Sequence, residues 1–393
     1  MGTTGIKETV ARVRRPATLK DLAGALGIHK STVSLALSGK GTIAPETRER
    51  VLSAARELGY QPNLIAQRLA GANASTTVCL FSGVLDVGLA TEKILAVQRV
   101  LNSHGLEVPI YTCGDAPTSS KSERGEDDVP DAQAAQVRQL CRQRPRALVC
   151  ATSHVQESVF RELGEYQESG GWVVAYDTPV PYACDQVVFD REDNAYRAAR
   201  YLLEQGHRRI GLGISQVSPH VLEDAQTKAG FDDKGVVTDP NVYRIRGFRR
   251  ALAEFGESLR PQWFFRNPAY EKGGAEMARQ FLQMPPGERP TAIAVVNDYV
   301  AFAFMTELIR AGVRVPEELS LIGHDDQPIA AYCPVPLTAV SQPVEQIAQS
   351  VADLLLDRLT ERAGPEVAPR TEIIKGTLSV RGSVAPPRQT GQA

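Results

Sequence analysis

In "HKSTVSLALSG" (residues 29–39), Lys30, Ser31, Ser34 and Leu35 fall on one side of a helical projection. Val33, Ala36 and Leu37 fall on the other, as an apolar face. A short helix of this kind, held by its apolar face, presents an ammonium, two hydroxyls and a methyl-bearing side chain. These groups suit the donors, acceptors and thymine methyls exposed in the major groove of DNA. A second such set lies at "LIAQRLAG", where Leu69 stands beside Arg68. An apolar wedge next to a cation can unstack a base step from the minor groove, whereas the plain alternative is a linker with a fraying helix. Covalent chemistry has no comparable set. G-x-S-x-G, a phosphate-binding loop, metal-spaced His/Cys residues and a dinucleotide fingerprint are all missing, and the six histidines have no evident partners in sequence. No enzyme activity, cofactor or metal is therefore expected.

The reading residues need a frame, and "ATLKDLAGALGIHKSTVSLALSGKGTIAPETRERVLSAARELGYQPN" supplies one. Thr18 and Asp21 form a capping-box start, Leu19, Leu22, Ala23 and Leu26 make one apolar stripe, and Gly27 ends the helix. A second helix runs from about Lys30 to Leu37. A third begins near Pro45, packs through Val51, Leu52, Ala55 and Leu58, and closes at Gly59. Two short helices around a glycine turn plus a third make a helix-turn-helix, although a three-helix packing module without DNA would carry the same pattern.

Charge favours the first reading. Residues 12–71 hold ten Lys/Arg against four acids, a local charge of +6 in a chain of net −2, so the remainder carries −8. A basic head on an acidic body suits a polyanion at the head only. There is no run of eighteen apolar residues and no signal-like apolar segment, so we expect a cytoplasmic protein without membrane contact. The six scattered cysteines lack a C-x-x-C pair and suit reduced core thiols.

From Thr76 the pattern changes to short apolar runs (TTVCLF, EVPIYTC, RALVCAT, GWVVAYD, QVVFD, RRIGLGI, TAIAVVND, LSLIGHDD) alternating with amphipathic segments. That predicts parallel sheets flanked by helices, and the length predicts two lobes with a crevice outside the strand C-termini.

"TLKDLAGALGIHKSTVSLAL…TRERVLSAARELGYQPNLIAQRLAG" closely resembles the head and hinge of the LacI/GalR family of bacterial transcription regulators. EQGHRRIGL (204–212), RIRGFRRAL (244–252), VVNDYVAFA (295–303), GVRVPEELSLIGHDD (312–326) and PLTAVSQP (336–343) resemble its effector core. The resemblance implies a small all-α helix-turn-helix head plus an α/β two-lobed core like a periplasmic binding protein. It divides the chain into a disordered arm (1–16), the DNA-binding domain (17–61), a hinge helix and linker (62–75), the effector-binding and dimerisation domain (76–383) and a disordered tail (384–393). It implies a nucleoid-associated repressor that binds a near-palindromic operator as a homodimer under control of a small-molecule effector, a sugar or related metabolite. The alternative class is a transport-type binding protein with no DNA function.

By resemblance, Thr18, His29, Lys30, Ser31, Thr32, Ser34, Leu35, Asn63, Arg68 and Leu69 meet DNA. Thr32 and Asn63 grip phosphates and Leu69 intercalates. Arg244 and Asp298 contact the effector, with Asp177 and Tyr270 as further candidates whose roles are equally well structural. The chain departs from the family at Leu35, where many members carry arginine, at His29 and Ala44, where serine is usual, and at His324, which replaces an aromatic. Leucine cannot form the bidentate guanine contact of arginine, so an unusual half-site follows. His29 either donates to a phosphate or lies on the turn. Ala44 forfeits an N-cap, with Pro45 and Glu46 as partial compensation. The segment "SGVLDVGLATEK" and residues 214–243 also depart from the pattern, and residues 113–133 read as a polar surface insertion.

Overall fold

A computed structural model describes residues 18–38, 43–58, 76–83, 85, 88–112, 132–153, 155–215, 240–267, 270–360, 362 and 364–388. The chain divides into two compact units, before and after residue 76. The sequence-predicted hinge residues Asn63, Arg68 and Leu69, the arm 1–16, and nearly all of 113–133 and 214–239 lie outside the described residues.

In the first unit, helices α1 (Leu19–Leu26), α2 (Lys30–Ser38) and α3 (Pro45–Glu57) pack on one small core of Leu22, Val33, Ala36, Val51 and Ala55. Thr18 and Asp21 form the expected reciprocal capping box, and Gly27 ends α1 with φ 64°. Ala44 makes no side-chain cap, and a first-turn proline starts α3. The expected α3 face needs correction. Val51, Ala54 and Ala55 point inward at i, i+3, i+4, whereas Leu52 and Leu58 are exposed.

The second unit holds two six-stranded sheets. The first runs β11-β5-β4-β3-β1-β2 and is parallel throughout. Its strands are β1 (Val78–Ser82), β2 (Ile110–Thr112), β3 (Ala147–Ala151), β4 (Trp172–Asp177), β5 (Asp185–Phe189) and β11 (Thr371–Ile374). The second runs β12-β10-β9-β8-β6-β7, with only the β10–β12 pair antiparallel. It contains β6 (Ile210–Ser215), β7 (Phe264–Asn267), β8 (Ala292–Val295), β9 (Ser320–Asp325), β10 (Thr338–Ser341) and β12 (Leu378–Ser379). Helices α4 (Leu89–Ser103), α5 (Ala132–Arg142), α6 (Glu157–Glu168) and α11 (Val344–Leu359) cover the first sheet. Helices α7 (Arg191–Glu204), α8 (Pro240–Glu254), α9 (Tyr270–Gln283) and α10 (Asp298–Arg310) cover the second. Strands buried on both faces read as continuous apolar runs, which is why most were legible in sequence.

The chain passes between the lobes after β5, after β10 and after β11. Backbone bonds tie these passages together: Asp190 N–H to Ile374 O at 2.9 Å and Ser341 N–H to Thr377 O at 2.8 Å. The described cysteines Cys79, Cys141, Cys150, Cys184 and Cys333 are thiols, not disulfides. The tail needs correction too. His207 Nε2 lies 2.9 Å from Ala385 O, and the Ala385 N–H donates to Ser320 Oγ at 3.0 Å, so the chain at Ala385 is held against the second lobe, while residues 389–393 lie outside the described residues.

Helices α7 and α8 touch backbone to backbone, because a Cβ on Gly247 would collide with the Glu192 carbonyl. This contact positions Arg244 and Arg191 on neighbouring helices. Gly247→Ala should therefore force the pair apart and lower the Tm by roughly 5 °C or more in a thermal melt. An unchanged Tm would mean the helices do not meet there.

Candidate DNA-reading face and effector cleft

The head exposes Lys30, Ser31, Ser34 and Leu35, the last at 43%, while Val33 and Ala36 are buried beneath them. Thr32 is half-buried, with its backbone N–H on His29 O at 2.9 Å. His29 sits on the turn at the start of α2, its Nδ1 2.8 Å from Ser31 Oγ and accepting the Ser31 N–H at 3.4 Å. This imidazole thus caps α2, a local role of the kind the family's serine would have. Thr18 Oγ1 donates to Asp21 Oδ2 at 2.6 Å, so its hydroxyl is engaged in the capping box. Exposed Lys20, Arg48, Arg50 and Arg56 add positive charge to the head.

In the body, the C-terminal ends of the strands converge on a buried polar cluster. Asp177 ends β4 with φ 99°. Its Oδ1 is 2.5 Å from Lys93 Nζ and its Oδ2 2.7 Å from Arg191 Nη2. Ser153 Oγ also donates to it, and Arg191 Nη1 donates to its carbonyl at 2.8 Å. Lys93 also donates to Gln342 Oε1 at 2.6 Å, and Gln342 Nε2 donates to Asp325 Oδ1 at 2.5 Å. Asn297 caps α10 with its Oδ1 and turns Nδ2 to within 3.5 Å of Asp325 Oδ2. Lys93 Nζ and Arg191 Cζ lie 5.6 and 5.7 Å from the Phe189 ring centroid. The chain of contacts therefore runs from α4 in the first lobe through the second passage to β9 in the second lobe.

Electrostatics follow from burial and neighbours. Burial alone would raise the Asp177 carboxyl, but the Arg191 and Lys93 cations overcome it and hold it well below the usual range. Burial lowers the Lys93 ammonium from its ordinary value, and Asp177 opposes that fall. Burial pushes Asp325 up to about 6 against the pull of Arg244 and Lys93. His324 donates its Nδ1–H to Val295 O, 2.9 Å away, and burial, with Arg244 adding to it, brings its pKa down to about 4.

The sequence-predicted effector residues separate. Asp177 lies in the cluster. Arg244 donates to Asn241 Oδ1 at 3.1 Å, and its charge lowers the pKa of both Asp325 and His324. Tyr270 opens α9. Asp298 is 0% exposed, its Oδ2 accepts the Gln327 N–H at 2.7 Å, and it fills the space where Gly323 lacks a Cβ. Burial, then Asp325, raises its carboxyl well above the usual range. Its neighbour Asn297 and the opposing Asp325 belong to the polar cluster. Sequence reading missed Lys93, Arg191, Asn297 and Gln342. Lys93 had a usable signal: it shares the buried stripe of α4 with Val97 and Leu101, at i, i+4, i+8. Beside Arg191 opens a cavity of about 220 Å³ lined by Phe189, Tyr243, Arg250, Ile373 and Lys375 among others.

Residues 18–63 match the family described as bacterial regulatory proteins, lacI family, and residues 199–384 match the periplasmic binding protein-like domain. The head is thus of the lacI family and the body of the periplasmic binding protein-like kind. A curated relative, the HTH-type transcriptional repressor PurR of Aliivibrio salmonicida, is 27% identical over 367 residues, covering 91% of this chain and 99% of its own. The PurR of Edwardsiella ictaluri is 28% identical over 346 residues, covering 88% and 91%. Among solved structures, the transcriptional regulator CelR–cellobiose complex superposes with TM-score 0.62 at 25% identity, covering 94% of this chain and all of that one. The lac repressor dimer bound to operator and the anti-inducer ONPF superposes with TM-score 0.72 at 22% identity and the same coverage, a likeness of fold. A small α-helical head and an α/β periplasmic-binding-protein-like core are thus the family architecture. Among the described residues no helix is long and apolar enough to cross a membrane.

His324 stands where the family usually has an aromatic, and it makes a checkable pH signature. Its pKa falls from 6.5 to about 4 on folding, so the unfolded chain takes up a proton first. Stability is complete above pH 6.5 and is lost as pH falls towards 4. The loss is on the order of 3 kcal/mol for this group. His207, also brought to about 4, acts in the same direction, and Asp325 acts oppositely below about 6. His324→Phe should flatten the fall in Tm between pH 6.5 and 4. An identical pH profile would contradict the buried, neutral imidazole.

Proposed function

We propose that this chain is a sequence-specific transcriptional repressor that binds a near-palindromic operator as a homodimer and is controlled by a small-molecule effector in the cleft between its lobes. The observation that carries this reading is the exposed Lys30–Ser31–Ser34–Leu35 face of α2, fixed by buried Val33 and Ala36, in a head of the lacI family. Each head of the dimer reads one half-site, and the two-fold axis of the protein matches that of the operator. The curated relatives are repressors, and the operator-bound lac repressor and cellobiose-bound CelR suggest the same two ligands, DNA and a small metabolite.

Residues 17–61 are assigned to the head and 62–75 to the hinge, where Asn63 holds phosphate, Arg68 follows the groove and Leu69 wedges a central base step. Lys30, Ser31, Ser34 and Leu35 read base edges, and Thr32 and His29 meet the backbone of the duplex. Thr18, whose hydroxyl and backbone N–H both bind Asp21 at the start of α1, is also assigned to the DNA contact. Asp177, Arg244, Tyr270 and Asp298, joined by Asn297 and Asp325, are assigned to the effector. The regulator works on the nucleoid of the bacterial cytoplasm and carries out no chemistry of its own. A transport-type binding protein would share the body but has no use for the α2 face.

Selection of bound sequences from a random duplex pool tests this reading with the full chain at stated salt. A near-palindrome with a deformable central step is expected, and failure to enrich any motif, with or without metabolite extract, would overturn it. Leu35→Arg should move the preferred half-site towards guanine, with discrimination of roughly tenfold or more from the bidentate O6/N7 contact. An unchanged preference would remove Leu35 from the groove.

A further inference from the structure

Both oxygens of the Asp177 carboxylate are taken by cations of the chain itself, Oδ1 by Lys93 and Oδ2 by Arg191. The second of these pairs crosses between the lobes. Asp177 ends β4 of the first sheet, whereas Arg191 opens α7, which covers the second. The guanidinium holds the carboxylate at 2.7 Å through Nη2 and the Asp177 carbonyl at 2.8 Å through Nη1, and both side chains are 6% exposed. Lys93 makes a second crossing. Its Nζ donates to Gln342 Oε1 at 2.6 Å. Gln342 is fastened to the second lobe twice, by its backbone N–H on Asp325 O at 3.1 Å and by its Nε2 on Asp325 Oδ1 at 2.5 Å. The ammonium therefore stands where a ligand joining the lobes would stand, tethered to α4 by its own side chain.

We propose that Lys93 is a built-in ligand of the cleft, which together with Arg191 latches the two lobes closed with no small molecule bound. This goes beyond the reading of the cleft as an effector site and does not depend on it. The contacts are ionic and hydrogen-bonding, and that makes them a latch rather than a weld. Opening an apolar seam exposes its whole area to water at a cost. Opening a buried ion pair returns two ions to water, which offsets much of the attraction lost. Closed and open forms then lie close in free energy, the condition under which a modest change of contacts moves the population. Truncating Lys93 leaves Gln342 Oε1 and one oxygen of Asp177 short of a donor, and opening to water satisfies both.

Hydrogen–deuterium exchange on the full chain, free of small molecules, tests this with Lys93→Ala. The amides of Asp190, Ser341 and Gln342, all bonded at the passages, should exchange at least tenfold faster than in the unaltered chain. Those of β3 and β8, inside the two sheets, should keep their rates. Propylammonium, the fragment that the substitution removes, should restore slow exchange at the passages. Tetramethylammonium at the same ionic strength, which has no N–H to donate, should not. Lys93→Met, which keeps the length of the side chain without its charge, serves if Lys93→Ala fails to fold by circular dichroism, and should show the same local rise. Exchange unchanged in a folded variant, a rise spread evenly over both sheets, or a rise in Lys93→Ala that propylammonium fails to reverse would each overturn the latch. Operator selection with the same preparations keeps the two readings apart: a chain that selects an operator without this response loses the latch alone, and one that responds but selects no operator loses the repressor reading alone.

Discussion

A carboxylate, Asp177, held between two cations, Lys93 and Arg191, is the constraint around which the body is arranged. Buried ions are tolerated only with close partners, and removing one partner of such a pair costs on the order of 3–5 kcal/mol. Meeting that requirement takes a positive-φ residue at the end of β4, a lysine on the inner stripe of α4 and an arginine at the start of α7. Each comes from a different element, and the α7 arginine follows directly on the first passage between the lobes. The second passage enters through Gln342, which relays Lys93 to Asp325. A hydrophobic replacement of similar volume could be equally stable, so the cluster is better understood as a device of geometry than as a source of stability.

Much of this was legible in the sequence, for physical reasons that differ by region. The head is small, so each helix must show its apolar stripe plainly, and Thr18, Gly27 and Pro45 mark the ends as expected. The α3 face was misjudged because leucines outnumber inward positions: Leu52 and Leu58 look like core residues but face outward, while Ala54 turns in. Strands buried on both sides read as apolar runs, whereas edge strands such as β11, with Thr371 and Ile373 exposed, carry no such run.

The cleft was harder. Asn297 and Asp298 are adjacent, and at a strand-to-helix turn adjacent side chains diverge, so spacing alone could not say which one joins Asp325 in the polar cluster. The structure gives Asp298 to the core beneath Gly323 and Asn297 to Asp325. Gln342 and Arg191 are joined to Lys93 and Asp177 across long stretches of sequence, and no local pattern encodes that meeting. The tail was misjudged for a related reason: its anchor, His207, lies far upstream, and a polar composition conceals backbone bonds of the Ala385 kind.

The central claim is a division of labour: a basic head reads DNA and an acidic body senses a ligand. It is tested most directly by measuring the affinity of a selected operator duplex for the full chain and for residues 76–393, side by side, with circular dichroism confirming that the body is folded. The account predicts tight, sequence-dependent binding by the full chain and none by the body. Sequence-specific binding retained by the folded body would contradict it.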